Sequence, residues 1–150
     1  MRDAAESRTA RELGALALSA LAAFALLSLI SRDLGYRPNL CGPIGDELAG
    51  RLDAVLGYQA YMTVVVMAWM AQRVWVRARW AALGRGFAGA TVLVVALAIA
   101  GSLWSEPAVR AGGMVGAVAA GVLFDYINVG GSYLVVMLAL IWGLALMSGR

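Results

Sequence analysis

The chain has 150 residues, 62% of them apolar and 14% charged, and its mean hydropathy is +0.79. A soluble domain of that composition would leave most of its apolar surface in water, so the chain reads as an integral membrane protein. Its formal charge of +3 comes from twelve basic residues, all arginine and set mainly at the ends of apolar segments, which is how membrane topology is written.

A helix needs about 20 apolar residues to cross a hydrocarbon core of roughly 30 Å. Four segments meet that length, at about 13–31, 54–76, 87–104 and 130–148. Strand-like alternation is absent, which argues against a β-barrel.

Residues 1–12 form a polar arm of alternating charge, and Arg2, Arg8 and Arg11 precede the first span. The apolar run from Leu13 to Ile30 exceeds a secretory core of roughly 7–15 residues and lacks a clean cleavage site, so it reads as a retained span. Within it Gly14, Ala15, Ser19 and Ala22 approach a small-x-x-x-small pattern, which lets another helix come close.

After Ser31, a loop with Arg32, Asp33, Gly35, Arg37 and Pro38 ends the helix. Asn39, Gly42, Pro43 and Gly45 then form a turn leading into a helix predicted over 45–56, with Asp46 and Glu47 in its first turn, where acids suit the dipole. Leu48, Leu52, Val55 and Leu56 fall on one face and Glu47, Arg51 and Asp53 largely elsewhere. Such a helix lies along the outer interface and roofs the bundle, offering a contact surface to partners or neighbouring copies. Gly57 ends it, and Tyr58 and Tyr61 open the second span as interface anchors.

At the inner end of that span, Arg73, Arg77, Arg79 and Arg85 interleave with Trp75 and Trp80. Beside a span this pattern holds the membrane surface and anionic lipid, in preference to nucleic acid. Gly84 and Gly86 mark the expected turn into the third span, which ends near Trp104, and Glu106, Pro107 and Arg110 make a brief outer loop.

Residues 114–127 are too short and Gly-rich for a span and are expected to lie deeper than 45–56, partly re-entrant. Gly113, Gly116, Gly121 and Leu123 keep the spacing of Gly42, Gly45, Gly50 and Leu52, and Gly130 and Tyr133 open the fourth span. The expected fold is therefore an all-α integral membrane protein with four transmembrane helices in two tandem halves, each with an outer-side interfacial or re-entrant helix. With Arg2, Arg8, Arg11, Arg73, Arg77, Arg79, Arg85 and Arg150 on one side and Arg32, Arg37, Arg51 and Arg110 on the other, both termini are expected to be cytoplasmic.

Catalytic chemistry is missing. A single cysteine, Cys41, makes no intrachain disulfide, and with no histidine a His/Cys metal site is all but excluded. No span carries an ionisable residue at its centre, which disfavours a pump, proton-coupled transporter or ion channel. Paired carboxylates, a Ser/His/Asp set and phosphate-binding glycine loops are absent. No catalytic, cofactor-binding or metal residue is assigned, and the architecture suits an anchor or assembly module.

The run Asn39-Leu40-Cys41-Gly42-Pro43-Ile44-Gly45, with Leu48, Ala49, Leu52, Leu56, Gly57, Ala60 and Tyr61, resembles the first periplasmic segment of the N-terminal four-span domain of FtsK/SpoIIIE-type DNA translocases. Gly112-Gly113-Met114-Val115-Gly116, Leu123, Gly130 and the stretch from Leu138 to Gly149 resemble the segment before and through that domain's last span. The resemblance implies a membrane anchor and assembly domain of a septal DNA translocase, acting in chromosome segregation and cell division at the bacterial inner membrane. In that family a linker and a RecA-like motor follow the last span. This chain stops at Arg150 without a phosphate loop, so ATP, Mg and DNA are expected only through a motor it does not contain. The implied partners are the lipid bilayer, further copies of the chain in a homo-oligomer, and division-machinery membrane proteins. The alternative is a stand-alone four-span transporter or channel subunit whose duplicated halves enclose a path, against which the lack of midplane polar groups argues.

Overall fold

The computed structural model describes the backbone of residues 2–76, 80–104 and 108–148, and the side chains of residues 9, 11–76, 83–104 and 111–148. The elements in chain order are α1 (Arg2–Asp33), α2 (Gly42–Leu56), a short 3-10 turn (Gly57–Gln59), α3 (Ala60–Trp75), α4 (Trp80–Trp104) and α5 (Ala108–Ser148). Four stretches are long and apolar enough to cross a membrane: Arg11–Asp33, Gly42–Trp75, Leu83–Trp104 and Ala111–Ser148. No strand occurs among the described residues. The all-α, four-span reading holds, and hydrocarbon explains it, since a lipid-exposed backbone must satisfy its polar groups within its own helix.

The first half is built on small residues. Ala22, Ala25 and Leu29 of α1 pack with Ala60 and Val64 of α3 and Ala49 of α2, so the two long helices run antiparallel with little side-chain bulk between them. Of the expected small-residue pattern, Ala15 and Ala22 are buried. Gly14 faces open space, and Ser19 turns its hydroxyl back onto the Ala15 carbonyl at 2.8 Å. Leu48, Leu52, Leu56, Tyr61 and Met67 cover this core from the side.

In the second half, α4 and α5 form the most extensive helix pair. They approach closely enough that a side-chain carbon on Gly89 would fall 2.7 Å from the Gly143 carbonyl oxygen, and one on Gly101 would fall 3.2 Å from that of Ala111. The halves also meet through α3 and α4, where the Trp69 ring lies over Gly86, 2.8 Å from where its side-chain carbon would be. Gly84 and Gly86 are therefore interior positions of α4, which begins at Trp80, and not the expected turn. Gly86 serves packing.

Neither long apolar stretch outside α1 and α4 is a straight rod. Gly57 (φ 58°, ψ −139°) separates α2 from α3. Gly113 (φ 64°, ψ −169°) and Asn128 (φ 63°, ψ 173°) divide α5 into residues 108–112, 114–127 and 129–148. Each half is thus a long helix, a break, a helix of about four turns, a second break and another long helix.

Candidate functional site: the paired helix breaks

The first unit begins where α1 ends. The last-turn carbonyls of α1 accept from the following loop: Leu34 N–H donates to the Ile30 carbonyl at 2.9 Å, Gly35 to Arg32 at 3.0 Å and Tyr36 to Ser31 at 3.0 Å. Asn39, 7% exposed, ties that loop down. Its Nδ2 donates to the Ser28 carbonyl at 3.0 Å, and its Oδ1 accepts from the Cys41 amide at 2.9 Å. Ser31 Oγ accepts from the Leu40 amide at 2.9 Å. Ser28 and Ser31 are fully enclosed. The Ser28 hydroxyl donates back to the Phe24 carbonyl of its own helix at 2.7 Å, so one α1 hydroxyl, one α1 carbonyl and the Asn39 amide side chain meet the groups that water would otherwise serve.

This knot delivers the chain to α2, which starts at Gly42 (φ 72°), ahead of the expected 45. Pro43 lies in the first turn, where its missing N–H costs nothing. The earlier start moves Asp46 and Glu47 out of the first turn, which holds no acid. They form ion pairs instead: Asp46 with Arg32 at 3.5 Å and Glu47 with Arg51 at 2.8 Å. Gly45 packs under Cys41, 2.8 Å from Ser28 Oγ when extended by a side-chain carbon, and Gly50 lets the Arg32 guanidinium lie across the helix at 3.1 Å. Leu48, Leu52 and Leu56 turn to the core, while Val55, expected with them, is exposed. Tyr61, at the start of α3, donates its phenol to Asp33 at the end of α1 at 2.5 Å.

The second unit uses other means. Gly113 sits directly on the backbone of Val55 and Leu56, with no room for a side chain. The second half's first break is thereby stacked on the end of the first half's short helix. Gly112 and Gly116 press against the Ala98 carbonyl and the Ser102 hydroxyl of α4. Gly121 and Gly130 face open space, Leu123 is half-buried and Tyr133 is exposed. The residue that matches Gly57 is Asn128, because Asn128 follows Gly113 by the same interval as Gly57 follows Gly42. Gly130 is an ordinary helical position. Asn128 Oδ1 accepts from the Val129 amide at 2.7 Å, and the fully buried Ser132 donates to the Asn128 carbonyl at 2.8 Å. The repeat spacing falls on Asn128, but a search for glycine passes over it. Asparagine, the commonest non-glycine residue at positive φ, was the available signal.

Of the basic patch, Arg73 stacks over the Trp69 ring, 4.7 Å from its centroid, and Arg85 is exposed near the start of α4. Arg77 and Arg79 lie outside the described residues. No group of three or more metal-ligating side chains occurs among the described residues.

No curated protein and no solved structure matches the chain. A family does: the one described as the 4TM region of DNA translocase FtsK/SpoIIIE matches residues 7–150. With four helices long and apolar enough to cross a membrane, that match makes this multi-pass membrane protein a member of the FtsK/SpoIIIE four-transmembrane family, the membrane-anchoring region of such translocases.

Proposed function

We propose that this chain seats an ATP-driven DNA motor at the division septum of a bacterial inner membrane, with both termini in the cytoplasm and the two break-and-helix units on the outer side. The family match over residues 7–150 carries this reading. Alternation of the four spans supports it: an even number of passes returns the end of α5 to the side from which α1 departs, the side on which arginines are most numerous. The units at the opposite end present α2's charged flank, with Asp46, Glu47 and Arg51, to division-machinery proteins or neighbouring copies. Among the described residues the buried polar side chains are Ser28, Ser31, Asn39, Ser102 and Ser132. None is ionisable, which supports an anchor over an ion path.

The test is a fluorescent fusion at the C-terminal end, imaged in dividing cells. A bright mid-cell band is expected, with fluorescence showing that the fused end is cytoplasmic. Uniform labelling of the envelope overturns the septal assignment, and a dark fusion that becomes active as a periplasmic reporter overturns the orientation.

A further inference from the structure

A polar recess of about 510 Å³ opens between the end of α1 and the start of α2, lined by Arg32, Tyr36, Arg37, Pro38, Asn39 and Asp46. We infer that this recess is a binding site for the phosphate of an anionic phospholipid headgroup.

Charge is the first argument. The lining holds two arginines against one carboxylate, and that carboxylate, Asp46, touches Arg32 through a single contact at 3.5 Å between largely exposed groups. Arg37 is exposed and forms no ion pair or side-chain hydrogen bond with any described residue. Asp33, the nearest other acid in the chain, is engaged by the Tyr61 phenol and does not line the recess. A guanidinium without a partner beside one with a weak partner suits a phosphate, which takes two or more charge-assisted hydrogen bonds at once.

Depth is the second. Arg32 lies at the end of the apolar stretch Arg11–Asp33, and the end of a membrane-crossing helix sits at the level of the headgroups. The third argument separates a lipid from free phosphate. Leu34 (67% exposed), Leu40 (67%) and Ile44 (76%) stand beside the recess in the same loop and the first turn of α2, so a charged hollow adjoins an open apolar surface. That pairing matches a molecule with a phosphate joined to acyl chains. The recess is also preformed: Asn39 and Ser31 hold its loop through buried hydrogen bonds, so little ordering cost falls on the ligand.

The test uses the full chain in detergent, with Arg73→Gln, Arg77→Gln, Arg79→Gln and Arg85→Gln introduced so that the other basic patch of the sequence does not report. Phosphatidylglycerol is added, and retained lipid is counted by native mass spectrometry. One retained lipid is expected. Arg37→Gln, which breaks no ion pair or side-chain hydrogen bond with a described residue, should weaken retention about fivefold, the effect of one cation near an anionic surface. Asp46→Asn, which removes the carboxylate that lines the recess, should strengthen it. Leu34→Ser with Leu40→Ser should weaken lipid retention, and inorganic phosphate at the same concentration should not displace the lipid. Unchanged retention in Arg37→Gln overturns the site. Weakening by Asp46→Asn assigns Asp46 and Arg32 to holding the loop and overturns it too, and displacement by inorganic phosphate overturns the lipid assignment. Septal localisation plays no part in these readouts, so the two readings fail separately.

Discussion

In the first half, the loop that leads into the helix between the breaks, Gly42–Leu56, is fastened to α1 by hydrogen bonds that Asn39 and Leu40 donate to Ser28 and Ser31, and the helix is flanked by ion pairs of Asp46 and Glu47. In the second half, residues 114–127 are fastened to α4 by backbone proximity, with Gly112 and Gly116 against Ala98 and Ser102. Their outward face is mostly apolar, with Met114, Val118, Val122 and Phe124 exposed and a single exposed carboxylate, Asp125, near its end. One backbone plan is thus held by polar side chains where charges flank the helix and by missing side chains where the flank is apolar. The physical reason is solvent. A loop flanked by charges has water to finish its unmet groups, whereas beside an apolar flank the available gains are dispersion and close approach.

The comparison is most exposed to failure at Gly116. Replacing it with Val drives two methyl groups into the Ala98 carbonyl and Ser102 hydroxyl, and the expected loss is about 3 kcal/mol or more. Gly121→Ala, on the same helix but facing open space, should be neutral or stabilising by up to about 1 kcal/mol. Unfolding titrations in mixed micelles would separate the two, and equal losses would show that residues 114–127 are not held by this contact. In the first half, Asn39→Ala leaves the Cys41 amide and the Ser28 carbonyl without their partner. That should cost about 2 kcal/mol in the same assay.

A smaller effect sharpens the repeat itself. Asn128 occupies a backbone region that glycine alone enters freely, whereas its counterpart is Gly57. Asn128→Gly should therefore stabilise the chain by about 1 kcal/mol, net of the lost hydrogen bond to Val129. A loss of stability would mean that this bond outweighs the strain. The smallest expected change belongs to the Glu47–Arg51 pair, whose side chains are 66% and 78% exposed. Glu47→Gln should shift stability by no more than about 0.5 kcal/mol.

Much of this was legible in advance. Apolar length determined the four spans, because crossing hydrocarbon sets a minimum number of residues. The 3.6-residue period put Leu48, Leu52 and Leu56 on the core face of α2, and the spacing from Gly42 to Gly113 exposed the tandem plan. Even so, the period placed Val55 with them, and it is exposed. Glycine content points to Gly130 as the opening of the last span, whereas the break is at Asn128, where the repeat spacing itself falls. Composition reads Gly86 as a turn, and only the Trp69 ring above it shows otherwise.

The chain by itself determined the solvent and the number of passes, since these follow from local length and hydropathy. Tertiary structure alone decided which small residues touch. Gly89 with Gly143 and Gly113 with Leu56 meet only because distant helices cross there. It also decided that Ser28, Ser31 and Asn39 form one buried knot and that Arg37 lines the recess beside it. Such contacts join residues separated along the chain, and no local period encodes which of many glycines or serines will face a partner.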